Sequence, residues 1–384
     1  MKKILLLTTA IISNSTQAKL SQIEQQDFLL AKLSTTKEII HQETLLWNEK
    51  FYDSLINDNN PNIKVVGFKE KLNPIKSLQS KANILEVANS INEILLYETV
   101  SPKSLKNIKT ICSGLEIKPH CRHDLIFEKQ LELTPENAFI YIEKLHVAKQ
   151  YFDYEEVSDI LNEMANSKYM NAYYYPDPVF REKLESYVKD HPFPENKLKM
   201  EKLFSLRSSS LSDDDKQVIS NNINEIMILT YVLSNRMSDS IPSFRTLIQV
   251  CENDPIHEKA CLKIADILIN KSKTILSTMI GHTIIIEILK QRNDPEKLKL
   301  AEANKENFKY KYECLSQIMN YGKSSFLING FKFSRKSESV EREAGELAYY
   351  QTMANQNYKH HKSLGDKRIM HIDECNNKPE IVTN

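Results

Sequence analysis

Glycine is scarce in this chain, with 7 residues among 384. Tight turns and β-hairpins use glycine because it reaches backbone conformations with positive φ, so this shortage disfavours a sheet-rich fold. Asn-Gly and Asp-Gly pairs, the strongest short hairpin signals, are represented by Asn329-Gly330 alone. Helical periodicity, in contrast, recurs along the chain. The sequence therefore predicts an all-α fold built from helical hairpins.

Net charge and long apolar runs are also missing. The 51 basic residues balance the 51 acidic ones, so nothing steers the chain towards nucleic acid or anionic lipid. Beyond the N-terminal segment, the most apolar stretch is 274–289, which is interrupted by Gly281, His282 and Glu287 and is too short to span a bilayer. We expect no nucleic-acid partner and no transmembrane segment in the mature chain, and no feature sets an oligomeric state.

The N-terminus has the pattern of a secretory signal peptide. Lys2 and Lys3 precede an apolar run at 4–12, and small residues follow, with Thr16 and Ala18 at the two positions that signal peptidase restricts. A membrane anchor is the competing interpretation, but the run is about half of the roughly 20 residues that a bilayer requires. We expect residues 1–18 to be removed and the protein to be exported, to the periplasm or the medium.

Export makes disulfides the expected state of the cysteines. The chain has six, an even number, at Cys112, Cys121, Cys251, Cys261, Cys314 and Cys375. Two pairs are close in sequence, which favours bonds from Cys112 to Cys121 and from Cys251 to Cys261 and leaves Cys314 with Cys375. Sequence alone allows other connectivities for six cysteines.

A helical hairpin is the clearest local prediction. Thr134-Pro135-Glu136 offers a capping residue, a proline for the first helical position and an acid for the first turn, so a helix is expected to begin there. A break near Phe152-Asp153 separates its two apolar faces. The faces consist of Ala138, Ile142, Leu145 and Ala148 in the first helix and Val157, Ile160, Leu161, Met164 and Ala165 in the second.

Further helices are expected at intervals along the chain. Their predicted ranges are 76–98, 242–250, 256–270, 274–290, 295–320 and 339–354, with another after the capping residues at 212–215. One pattern occurs twice, at 112–121 and at 251–261. In each copy a polar segment with a proline lies between two cysteines, and a helix is predicted to follow. This repetition favours an N-terminal helical half at 19–206, a C-terminal half at 207–357 and a loose polar tail at 358–384, unless Cys375 ties the tail down.

The segment from Leu133 to Ala138, with the hairpin to Ala165 behind it, resembles a tetratricopeptide-type helical hairpin. Ala148 and Met164-Ala165 fit that pattern, whereas the glycine expected in the first helix is absent. The resemblance covers about a tenth of the chain. It implies a tetratricopeptide-like array, with an irregular helical bundle as the alternative, stapled by disulfides in either case.

The wider layout resembles a group of uncharacterised exported helical proteins of Gram-negative bacteria. The features that carry this likeness are the signal peptide, the pair Cys112 and Cys121, the segment that follows them, a tyrosine-rich stretch from Lys168 and the second cysteine pair. The group has no assigned activity, so the resemblance implies no functional residues.

Three segments contain side chains that could ligate a metal. His257 and Glu258 begin like the zinc-protease helix motif but lack its second histidine, and His120, Cys121 and His123 lie near Cys112. The third segment is the tail, with His360, His361, His371 and Cys375. Because export favours disulfides, and because no orienting partners are evident in the tail, we predict no metal and no cofactor.

Signatures of catalysis are weak. A Gly-x-Ser-x-Gly elbow is absent. Residues 322–325 resemble the end of a phosphate-binding loop, but the first glycine of that motif is missing from the sequence before them. Acidic pairs such as Glu155-Glu156 are explained by helix surfaces and caps, although paired carboxylates of a hydrolase leave little local signature. We therefore predict no catalytic residues.

Aromatic residues cluster at 169–180, where Tyr169, Tyr173, Tyr174, Tyr175 and Phe180 accompany two prolines. Such side chains could line a groove for a partner, or they could pack where the hairpin meets the next helix. The leading hypothesis is an exported, non-enzymatic helical scaffold that binds a protein or peptide. The alternatives are a hydrolase that acts on envelope polymers through paired carboxylates and a secreted inhibitor or toxin-neutralising protein.

Overall fold

The computed structural model describes residues 37–72, 84–173, 175, 177–194, 223–237, 243–321 and 339–376. The predicted signal peptide, the boundary near 206, the capping residues at 212–215, the segment 322–325 and the pair Asn329-Gly330 lie outside these residues. The described part is all-α, with no strand beyond two isolated bridges, and it contains disulfides, as predicted.

The α-helices are numbered in chain order. They are α1 Lys37–Ile56, α2 Pro61–Lys71, α3 Ile84–Ile94, α4 Pro102–Cys112, α5 His123–Leu133, α6 Ile142–Gln150, α7 Tyr154–Asn166, α8 Pro178–Asp190, α9 Ile223–Met237, α10 Arg245–Asn253, α11 Glu258–Asn270, α12 Ile275–Gln291, α13 Pro295–Asn320 and α14 Glu346–Ser363. Short 3-10 helices span Lys118–His120, Ala138–Tyr141, Pro255–His257 and Ile372–Asn376.

A proline in the first turn, preceded by a capping side chain, begins α2, α4, α8 and α13. Proline lacks the backbone N–H that a first turn leaves unpaired, and the preceding Asn, Ser or Asp accepts a bond from one of the free amides. At α13 the side chain of Asp294 accepts from the amide of Lys297. This rule accounts for the start of the predicted helix 295–320, whose two ends agree with those of α13.

The hairpin predicted after residue 134 exists, but its start was wrong. Thr134 ends α5, and its hydroxyl donates to the carbonyl of Gln130 at 2.9 Å instead of capping a new helix. Asn137 takes the capping role and accepts from the amide of Phe139. The second helix begins as predicted after the break, because the side chain of Asp153 accepts from the amide of Glu156.

Two buried clusters join residues from both sides of the predicted boundary at 206. In the central core, α6 and α7 pack with α10, α11 and α12. A second cluster combines α1, α2 and α8 with Ile228 and Val232 of α9. The remaining large clusters lie between α2, α3, α4 and α5 and between α13, α14 and the tail. Both clusters therefore combine helices that are far apart in the sequence.

Three disulfides close the chain at the expected places. Cys112 bonds to Cys121, Cys251 to Cys261 and Cys314 to Cys375, and the described residues contain no free cysteine. Both short loops carry a 3-10 turn with a proline between the bonded cysteines. The third bond fastens the tail to α13.

The last helices differ from the prediction of one helix at 339–354. Residues 339–344 are helical, Gly345 interrupts them with a φ of 92°, and α14 continues to Ser363. A Cβ at Gly345 would lie 2.8 Å from the carbonyl oxygen of Lys273, so this position requires glycine. In the described part of the polar tail, the bond from Cys375 to Cys314 ties the chain to α13.

Among the described helices, none combines the length and the apolar character that crossing a bilayer requires.

Candidate partner-binding site

The predicted tyrosine cluster is integrated into the fold. Tyr169, Tyr173 and Tyr175 are partly buried, whereas Tyr174 lies outside the described residues. Phe180 is 1% exposed and packs against Phe51, with ring centroids 5.8 Å apart. The ring of Phe180 therefore lies in a core cluster with α1 and α2 and not on the surface.

The buried side chain of Asn137 holds the chain that carries these tyrosines. Its carboxamide oxygen accepts from the amide of Asn171 at 2.9 Å, and its Nδ2 donates to the carbonyl of Asn171 at 2.9 Å and to the Tyr173 hydroxyl at 3.4 Å. Lys103 of α4 donates to the carbonyl of Tyr173 at 3.0 Å. Burial raises the pKa of the Tyr173 hydroxyl above its usual value and that of Tyr175 to about 12. The segment thus has a structural role, joining α4 to the α6/α7 hairpin.

Buried charged and amide side chains surround this junction. Asp177 is 4% exposed and caps α8, and Asn107 donates to its second oxygen at 3.4 Å. Burial raises the pKa of Asp177, while the ammonium of Lys103 and two backbone amides act in the opposite direction. Between α9 and α2, Asn235 donates to the carboxylate of Glu70 at 2.7 Å. Each carboxylate has a nearby donor, as expected for polar groups buried in a core.

The segments considered as metal sites have other partners. His257 is 7% exposed, and its Nε2 lies 3.3 Å from Asp254 within the loop closed by Cys251 and Cys261. The exposed ring of His123 lies 3.1 Å from the carbonyl of Lys118. In the described part of the chain, no three His, Cys, Asp or Glu side chains are arranged to hold a metal ion.

The histidines of the tail lie near aromatic side chains and Asp366. The ring centroids of His371 and Tyr358 are 4.8 Å apart, and those of His361 and Tyr321 are 5.0 Å apart. The Nδ1 of His361 lies 3.8 Å from Asp366. These contacts pack the tail against α13 and α14.

An exposed aromatic group lies instead at the turn between α6 and α7. We call Tyr151, Phe152 and Tyr154 the aromatic tip, and their side chains are 80%, 70% and 59% exposed. Every residue from 151 to 156 is exposed, including the acids Asp153, Glu155 and Glu156. The ammonium of Lys149 lies 5.5 Å from the centre of the Tyr154 ring. Three large aromatic side chains in one solvent-facing turn are unusual for a protein surface, where exposed apolar residues are scattered.

The backbone of this turn makes Phe152 more unusual. The amide of Phe152 donates to the carbonyl of Lys149 at 3.3 Å, and the amide of Asp153 donates to that of Ala148 at 3.0 Å. These two bonds form a Schellman motif, which places the residue after the helix cap in the left-handed region. Phe152 occupies that position with a φ of 57°. Glycine is the usual residue there, because a Cβ is sterically disfavoured at positive φ.

Two other helix ends have the same motif and residues suited to it. Asn293 follows α12 with a φ of 52°, and its amide donates to Lys290 while that of Asp294 donates to Leu289. Gly365 follows α14 with a φ of 77° and makes the corresponding bond. Asparagine and glycine tolerate this conformation. Phenylalanine at the first turn therefore has no advantage for the backbone.

The sequence contained a signal for the aromatic tip that composition alone did not reveal. The sequence predicts a hairpin break at Phe152-Asp153, and at such a break between two helices glycine or asparagine is expected at the C-terminal cap. The aromatic residues at 169–180 are more numerous, but their number does not report their exposure.

Comparisons of the chain with protein-family models, with curated proteins and with solved structures gave no match.

Proposed function

We propose that the protein is an exported, non-enzymatic helical scaffold that binds a protein or peptide partner, and that the aromatic tip belongs to its contact surface. The observation that carries this proposal is Phe152, a bulky side chain that is 70% exposed and held at positive φ. Exposure means that folding gains little from the ring, and the backbone conformation disfavours it. Residues kept against local stability are often functional.

The remaining structure is consistent with this role. Three disulfides suit the oxidising compartment that the predicted signal peptide implies. The α6/α7 hairpin is anchored in the central core through Leu145 and Leu161, both 0% exposed. A rigid hairpin presents the tip in one geometry, which reduces the entropy lost on binding.

A hydrolase acting on envelope polymers was the second hypothesis from the sequence. It requires two carboxyl groups that face an open cleft. Glu70 and Asp177 are 1% and 4% exposed, and both interact with donors inside the core. No specific contact among the described residues favours this alternative over partner binding.

Affinity capture tests the proposal. The exported chain is immobilised and exposed to envelope extract and to culture medium, and co-purifying proteins and small molecules are identified by mass spectrometry. We expect the wild-type chain to retain a stoichiometric protein that the Phe152→Asn chain does not retain. A captured glycan fragment without a protein would support the hydrolase instead, and the absence of any specific protein would contradict partner binding.

A further inference from the structure

We infer that the aromatic tip inserts into an apolar pocket of a folded protein whose rim carries lysine or arginine, an inference that rests on the proposed function and specifies its partner. The tip is convex, since residues 151–156 are all exposed at the turn between two antiparallel helices. A convex site cannot enclose a small ligand, and therefore the partner must supply the concave surface.

The side chains of the tip are suited to a pocket. Tyrosine and phenylalanine give a large contact area with few rotatable bonds, and buried aromatic anchors of this kind dominate the energy of many interfaces. Tyr151 and Phe152 are 80% and 70% exposed, so most of their surface is available for burial by a partner. The Schellman turn fixes Phe152 at the apex, so its backbone needs no reordering on binding.

Charge determines what should surround the pocket. Asp153, Glu155 and Glu156 are exposed beside the rings, and Glu155 and Glu156 lie in the first turn of α7. Two lysines of α6 lie close to the turn, where Lys144 is 3.9 Å from Glu156 and Lys149 approaches the Tyr154 ring. The residues 151–156 themselves contain three acids and no base. A basic rim facing α7 complements them, whereas an anionic bilayer surface would repel them.

Lys149 shows that the aromatic tip also accepts a cation directly. Its ammonium is within the range of a cation–π contact with the Tyr154 ring, at 5.5 Å. A lysine or arginine on the rim of the pocket could contact the open face of Tyr151 in the same way. The acids and the rings therefore favour the same type of partner.

Site-specific photocrosslinking tests the inference. The amino acid p-benzoylphenylalanine is introduced at position 152 of the full chain in producing cells, and at position 293, the equivalent place in the α12/α13 turn, as the matched control. After irradiation, cross-linked peptides are mapped by mass spectrometry. We expect position 152, and not 293, to cross-link to one protein at apolar residues with lysine or arginine nearby. Cross-links to lipid or glycan, or none above the level of position 293, would overturn the inference.

Binding of the partner identified in this way is then measured with purified proteins. We expect Phe152→Asn to lower affinity at least about 30-fold, as for a central anchor. The double variant Glu155→Gln/Glu156→Gln should lower it about two- to fivefold and weaken its dependence on salt. Leu115→Ser, at a residue that is 92% exposed in another loop, is the control for general surface hydrophobicity and should bind normally.

These measurements separate the two proposals. A partner that binds wild-type and Phe152→Asn chains equally would overturn the aromatic tip as the contact surface, both in the inference and in the proposed function, and would leave only the scaffold's binding of a partner through another surface. If neither chain retains a protein partner in affinity capture, both the function and the inference fail.

Discussion

The turn between α6 and α7 has the same backbone conformation as the turn between α12 and α13, but the side chains of the two turns differ. Each has a residue with a φ between 50° and 60°, followed by an aspartate that caps the next helix. Asn293 fits its position, whereas Phe152 does not. Since the two turns make equivalent hydrogen bonds, the requirements of folding do not explain why phenylalanine occupies position 152. The difference indicates that a function determines this residue.

The largest expected effect concerns the helices that support the two turns. Leu145 of α6 and Ile288 of α12 are 0% and 1% exposed in the same central core. Replacing either by alanine should lower the free energy of unfolding by about 2–5 kcal/mol in urea titrations, because a cavity remains. Val147→Ala and Leu300→Ala, at exposed residues of the same hairpins, are the controls and should change it by less than about 0.5 kcal/mol. A small loss at Leu145 would mean that the first hairpin is not anchored as rigidly as the second.

Removal of the caps should affect both hairpins alike. Asp153 and Asp294 accept from the amides of Glu156 and Lys297 at 3.0 and 3.1 Å. We expect Asp153→Ala and Asp294→Ala each to lower the free energy of unfolding by about 1 kcal/mol. Unequal losses, measured by thermal and urea unfolding, would show that the two turns are not equivalent and would weaken the comparison.

Exchanging the left-handed residues isolates the conformational cost of phenylalanine. Phe152→Asn should leave the free energy of unfolding unchanged or raise it by up to about 1 kcal/mol. Asparagine tolerates a positive φ better than phenylalanine, and the exposed ring of Phe152 buries little surface that the substitution would lose. Asn293→Phe should lower it by about 1 kcal/mol for the opposite reason. The prediction fails if Phe152→Asn is clearly less stable, since the ring would then contribute to folding.

The smallest expected effect is a pH dependence confined to the second hairpin. Burial lowers the pKa of His282 below its ordinary value of 6.5, and the nearby ammonium of Lys305 acts in the same direction. The folded state therefore disfavours the protonated ring, and stability is lost as the pH falls through this value. As the pH falls from about 7.5 to about 5.5, amide hydrogen exchange in α12 and α13 should become faster, after correction for the intrinsic exchange rates.

His282→Gln is the control for this pH effect, because glutamine does not titrate. The variant should show no acid-induced increase in α12, and α6 and α7 should change in neither chain. An equal response in the variant would assign the effect to another group.

Much of the fold could be predicted because its determinants are local. Pro295 with Asp294 begins α13, spacing along the chain favours the pairs that Cys112 and Cys251 form, and helical periodicity gives the apolar faces of α6 and α7. The start of the first hairpin failed because Thr134 and Asn137 both offer capping side chains. Thr134 bonds backwards to Gln130, and contacts with the chain at 169–171 select Asn137.

The candidate site was not predictable from composition, because exposure depends on contacts between distant residues. Tyr173 is partly buried because Asn137 and Lys103, 36 and 70 residues away in sequence, bond to it. Phe152 is exposed because no other element among the described residues covers the turn of its own hairpin. A search for large side chains at predicted C-terminal caps would have located it, since that signal joins local structure to side-chain size.

The most direct test of the central claim compares wild-type and Phe152→Asn chains in one capture experiment, with stability measured on the same preparations. The wild-type chain should retain a stoichiometric protein partner, and the variant should retain less than about a tenth of it, the ratio expected when a main anchor is removed at limiting concentration. Its unfolding midpoint should be no lower than that of the wild type. Equal retention, or a variant that has lost both stability and partner, would contradict the claim that Phe152 is kept for binding.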